Sequence, residues 1–128
     1  MDDKDLKREA RLQRMYERLG VETPCCARCG LADVRCLEAH HIAGRKFDDA
    51  TVILCRNCHR ILSGDQKDHP PPIGGTPSLH ERVGQLLKGL ADFLRRLVPI
   101  LHEHGDELIE FAKREPRSRR SKANNEPA

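Results

Sequence analysis

At 128 residues, with 34% charged and only 3% aromatic side chains, this chain is long enough for one domain but poor in the groups that build a large core. The net charge of +3 is too small to single out a partner, and no apolar run approaches the ~20 residues of a bilayer span. Six cysteines in so short a chain point instead to a stapled fold, through metal or disulfide.

The first predicted element is a helix over residues 3–19. Leu6, Leu12, Met15, Tyr16 and Leu19 recur at helical spacing, acidic residues lead, and Gly20 stops the run. The start of the sequence is charged from Asp2 and carries no apolar leader-like stretch, so the expected compartment is the reducing cytoplasm and the expected state of the cysteines is thiolate on zinc. Residues 34–41 read as a strand, 44–49 as a loop, and the β-branched run Thr51–Leu54 as a second strand. A short helix is expected from Arg56 to about Leu62. The expected class is therefore a small α+β, zinc-stapled domain over residues 21–63, treble-clef-like in its order of strand, loop, strand and helix.

Residues 64–78, with Pro70-Pro71-Pro72 and Gly74-Gly75, read as a linker. Helical periodicity returns over 79–113, with a broad apolar face and with interruptions expected at Pro99 and at Gly105-Asp106. That face calls for a cover: the N-terminal helix, a second copy in a homodimer, or a protein partner. Arg95-Arg96 argue against a membrane. The last stretch, 114–128, is basic and reads as a disordered tail, either a solubility tail or a sequence-independent contact for phosphates.

Cys26-x-x-Cys29 and Cys55-x-x-Cys58 supply the chemistry. Two such knuckles from distant segments offer four sulfurs to one tetrahedral zinc, a structural cofactor. Cys25 could replace Cys26 through a three-residue spacing, and Cys36 reads as a buried strand residue. Three histidines surround the clip: His40 and His41 at a strand end and His59 directly after Cys58. Consecutive strand residues point to opposite faces, so His40 and His41 are expected to do different jobs. A metal held by few protein ligands keeps positions open for water and phosphate oxygens, as hydrolysis requires.

The run Cys-x-x-Cys-Gly, then His-His-Ile, then Val-Ile-Leu-Cys-x-x-Cys-His resembles the HNH endonucleases, with their ββα-metal core, over residues 25–63. The resemblance implies His41 as general base and a divalent cation, such as Mg2+, Mn2+, Ni2+ or Zn2+, on His40 and His59. It also implies phosphodiester hydrolysis, expected on double-stranded DNA. The family's middle Asn has Ala50 in its place, with Asp49 and Thr51 as neighbouring groups able to take over its hydrogen bonding. Arg45, Lys46, Arg56 and Arg60 flank the histidines and are candidates for nucleic-acid phosphates, with solvated surface as the alternative. Two non-catalytic readings remain: a zinc module that binds nucleic acid or protein, and an adaptor acting through its helices.

Overall fold

A computed structural model describes residues 2–116. It has helix α1 (Asp3–Leu19), a 3-10 turn (Val34–Cys36), strands β1 (Leu37–His41) and β2 (Thr51–Cys55), and helices α2 (Arg56–Gln66) and α3 (Leu79–Lys113). This is a small α+β fold with three helices and a two-stranded antiparallel sheet. The chain divides into two units, Met1–Arg96 and Leu97–Ala128. The basic tail expected over 114–128 lies outside the described residues from position 117 onward.

In the first unit, α1 is capped at its start by Asp2, whose side chain accepts from the Asp5 amide. It ends at Gly20, whose left-handed φ of 73° suits glycine. None of its residues is buried, although Leu19 packs against the core. The expected strand at 34–41 starts late. Asp33 accepts from the Arg35 amide and its carbonyl from the Cys36 amide, winding Val34–Cys36 into a 3-10 turn. Cys36 therefore sits in that turn, partly exposed, rather than buried in a strand.

β1 and β2 pair with Leu37 opposite Cys55, Glu38 opposite Leu54 and His40 opposite Val52. Cross-strand partners share a face, so Glu38, His40, Val52 and Leu54 form one side of the sheet. α2 covers that side, with His59 against Glu38 and His40 and with Leu62 in the core. The buried cluster is Cys26, Leu37, Leu54, Cys55, Cys58 and Leu62, so half of it is sulfur. The few aromatics anticipated this dependence on cysteine. Phe93 of α3 packs against the same cluster.

α2 runs to Gln66, so the linker begins after residue 66 rather than at 64. α3 anchors this unit along one helical side. Arg82 donates to the Phe47 carbonyl at 2.8 Å, Gln85 to the Pro70 carbonyl at 2.9 Å, and Arg96 to both carboxylate oxygens of Asp65 at 2.9 and 2.6 Å. His69 bonds Asp92. Gly89 lies so close to Ile42 that an added Cβ would stand 1.8 Å from the Ile42 carbonyl oxygen.

The second unit contains the rest of α3. The helix passes through Pro99 and Gly105-Asp106 without the interruptions expected there. A proline removes one amide donor, and the flanking turns keep their own bonds. No described residue of this unit is buried, and Val98, Leu101, Leu108, Ile109 and Phe111 are exposed. No helix among the described residues is long and apolar enough to cross a membrane.

Candidate metal centre and histidine cluster

The first knuckle is a turn closed by Cys26 N–H to the Leu31 carbonyl and Gly30 N–H to the Cys26 carbonyl. Gly30 takes the positive φ that closing the turn requires. Ala27 N–H bonds the Ile53 carbonyl at 2.8 Å, docking the knuckle on the outer edge of β2. The second knuckle begins at Cys55, which ends β2 and caps α2 by accepting from the Cys58 amide at 3.5 Å.

These two attachments bring Cys26, Cys29, Cys55 and Cys58 together, with all four sulfurs within 4.8 Å of one another. Cys29 and Cys55 Sγ are 3.7 Å apart. Four sulfurs at about 2.3 Å from a tetrahedral zinc stand about 3.8 Å apart along each edge. The group is thus compatible with a structural metal such as zinc. Cys25 is exposed and outside it.

The surroundings treat the thiols differently, favouring the thiolate at Cys26 and opposing it at Cys29 and Cys58. Burial opposes ionisation of Cys26, but the amides of Cys29, Cys55 and Arg28 bring its thiol down to about 6. Burial pushes Cys58 up to about 12 against the opposing hydrogen bond from Arg28, which donates to its sulfur at 3.4 Å. Crowded sulfurs cannot all ionise without a cation, so a metal that accepts all four would replace mutual repulsion with coordination.

The histidines lie on the α2 side of the sheet and at its end. The rings of His40 and His59 are 5.0 Å apart between centroids and inclined at 72°. His59 Nδ1 meets Glu38 Oε2 at 2.6 Å, and Arg56 pairs with the other Glu38 oxygen at 3.3 Å. His40 is buried, and desolvation, followed by the charges of His59 and His41, lowers its pKa to about 4. It is therefore neutral at pH 7. Gln66 Nε2 approaches His40 Nε2 at 3.3 Å but donates more closely to the carbonyls of His41, at 2.7 Å, and Ile42, at 3.1 Å. Those two carbonyls account for both amide protons, leaving the His40 lone pair weakly engaged.

His41 ends β1 half-buried, opposite Thr51, and the pleat turns it away from the face that holds His40. Its ring makes no hydrogen bond among the described residues, whereas its backbone is well held. The loop after it closes through Ile42 N–H to the Ala50 carbonyl at 3.1 Å and through Asp48, whose carboxylate accepts from the Ala50 amide at 2.7 Å. Among the described residues, neither Asp49 nor Thr51 makes the side-chain bond expected of a stand-in for Asn. Asp48 and Gln66 brace the loop instead.

Among the basic candidates, Arg56 is committed to Glu38, while Arg45, Lys46 and Arg60 are exposed and form no ion pair among the described residues. Arg45 and Lys46 line a cavity of about 210 Å³ with Arg82 and Asp48. Residue spacing did not single out Glu38, Gln66, Asp48, Arg28 or Gly89. The one available signal was strand period: Glu38 lies two residues before His40 and so shares its face.

Comparison with protein-family models, with curated proteins and with solved structures finds no match for this chain.

Proposed function

We propose that this chain is a metal-dependent endonuclease of HNH type. It would hydrolyse phosphodiester bonds in double-stranded DNA from a treble-clef, ββα-metal core. The observation that carries the reading is the Glu38–His59–His40 arrangement. A metal-bound histidine ordinarily donates its other ring N–H to a carboxylate, and Glu38 stands at that position on His59. An ion about 2.1 Å from one nitrogen of each ring implies ring centres roughly 4.6–5.3 Å apart, and the observed spacing is 5.0 Å. His40, held neutral by burial, is in the form that ligates.

In this reading His40 and His59 hold the cation, which supplies charge stabilisation at the scissile phosphate. His41 takes the proton from the attacking water. Arg45, Lys46 and Arg60 hold backbone phosphates, and Arg56 serves mainly to fix Glu38. The free His41 ring favours a second reading, a zinc module that binds nucleic acid or protein without cleaving.

Supercoiled plasmid incubated with Mg2+ or Mn2+ separates the two. The wild-type chain is expected to nick it, and His41→Ala to lose about 10²–10⁴ in rate while keeping its zinc and its helical signal. Equal inertness of both proteins in every metal leaves only the binding module.

A further inference from the structure

We infer that one face of α1 is a nucleic-acid-binding surface that holds the phosphate backbone of a duplex without reading its sequence. Lys4, Lys7, Arg11, Arg14 and Arg18 follow one another at intervals of three and four residues, and Arg8 lies four beyond Lys4. These are all the basic residues of the helix. At about 100° of turn per residue they fall within an arc of about 120°, shared only with Met15. The acidic residues of α1, Asp3, Asp5, Glu9 and Glu17, all lie outside that arc. Counted along the chain, the two signs largely cancel; wound into a helix, they separate. All the cations are exposed. Among the described residues, only Lys7, with Asp3 at 2.9 Å, and Arg8, with Asp5 at 3.8 Å, form ion pairs from this face.

The placement of α1 leaves the face open. The helix is half-buried at Leu12, Met15 and Leu19, along one margin of the arc, and Leu19 packs against the core. Arg35 of the 3-10 turn extends the patch. With Arg8, Arg11, Leu12 and Met15 it lines a cavity of about 260 Å³ that has no carboxylate among its lining residues. Asp33 holds the Arg35 guanidinium by two hydrogen bonds, at 3.0 and 2.7 Å. Like charges three or four residues apart destabilise a helix. Lys4–Lys7, Lys4–Arg8, Lys7–Arg11, Arg8–Arg11, Arg11–Arg14 and Arg14–Arg18 are all such pairs. A polyanion laid on this face removes their repulsion, so an arrangement unfavourable to the free helix is favourable in the complex.

Charge and shape together select the partner. A helix that lies on a membrane sinks an apolar face into the lipid. Here Leu12, Met15 and Leu19 are half-buried, and the exposed Leu6 and Tyr16 share the opposite side of α1 with Glu9 and Glu17. A nucleic-acid backbone requires no such insertion. From Lys4 to Arg18 the face extends about 21 Å at 1.5 Å per residue, which matches the rise of about six base pairs. Long exposed side chains with few fixed partners contact phosphates by charge rather than base edges by geometry. The inference rests on the proposed function for its ligand, nucleic acid, and on no step of cleavage.

Fluorescence anisotropy of a labelled duplex of about 20 base pairs, titrated with the zinc-loaded full chain over about 50–300 mM salt and without added Mg2+ or Mn2+, tests this. Arg11→Gln and Arg14→Gln are each expected to weaken binding a few-fold, equally for duplexes of unrelated sequence. Each should also reduce the slope of log K against log salt by about 1, while zinc content and helical signal stay unchanged. Glu9→Gln, a charge change of the same size on the opposite side of α1, is expected to leave the slope as it is. Three results overturn the proposal: no duplex binding, slopes indifferent to Arg11→Gln and Arg14→Gln, or a slope that Glu9→Gln alters as much as they do. Preference of the chain for phosphatidylserine vesicles over the duplex overturns it as well. A chain that binds with these slopes and never cuts refutes the endonuclease reading alone. One that cuts while both arginine variants keep the wild-type slope refutes this inference alone.

Discussion

Gly89→Ala should destabilise this protein although it improves a helix. Alanine in a helix interior is favoured over glycine by about 1 kcal/mol. Here the new methyl would stand 1.8 Å from the Ile42 carbonyl oxygen, 2.6 Å from its carbon and 3.1 Å from Ile42 Cγ2. Relief requires a backbone shift of more than 1 Å, roughly the difference from an ordinary carbon–oxygen contact of about 3.3 Å. Ile42 cannot yield freely, because its amide is bonded to Ala50 and its carbonyl to Gln66. Overpacking of this kind costs about 1–3 kcal/mol, occasionally more. The net expectation is a loss of up to about 2 kcal/mol in chemical denaturation, in place of the gain that alanine ordinarily brings to a helix. Gly84 is the internal control: a methyl there meets nothing within 4 Å, so Gly84→Ala should gain about 0.5–1 kcal/mol. If Gly89→Ala stabilises as much as Gly84→Ala, α3 does not press on the loop after His41, and the account of how that loop is held is wrong.

Chelation should unfold the sheet and α2 together, because half of their buried cluster is cysteine; circular dichroism during titration with a strong chelator is the measurement, and added zinc should reverse the loss. Glu38→Gln should weaken divalent-cation binding by about 10–100-fold with the four-sulfur site still filled, as read by calorimetry on zinc-loaded protein. Asp65 is held below the usual carboxylate range, chiefly by its hydrogen bond to Arg96. Its unfolded form binds the proton first, so its contribution is complete above about pH 4 and is lost as acid carries the folded carboxylate through its lower pKa. Asp65→Asn should therefore cost about 1 kcal/mol at pH 7 and flatten the acid limb of a stability–pH profile; an unchanged limb would refute the assignment.

Cysteine spacing made the metal group readable, because two Cys-x-x-Cys turns carry their own local geometry wherever they fall. The approach of His59 to His40 was legible for a related reason: His59 follows a knuckle cysteine directly. What escaped depends on partners distant in sequence. Ser63-Gly64-Asp65 reads as a helix end, yet α2 continues through it to Gln66 while Arg95 and Arg96 of α3 grip Asp65. That extra turn carries the Gln66 amide to the His41 and Ile42 carbonyls. Glu38 was legible only by strand period, and Gly89 only from the closeness of a carbonyl that no local pattern records. At Pro99 the local rule for proline predicted an interruption, and the helix ran through it.

The pairing of Leu37 with Cys55 has one more result. A two-stranded ribbon this short has little of its own to stop it sliding, and a shift by a single position would turn every side chain to the other surface. If β1 slips, Leu37 would lose its buried place and His40 would exchange places with His41. Cys55 belongs at once to that pairing and to the sulfur quartet, so a slipped ribbon misplaces a ligand. A metal held by all four sulfurs would thus act as a proofreader of strand alignment, favouring the chain whose ribbon is in register.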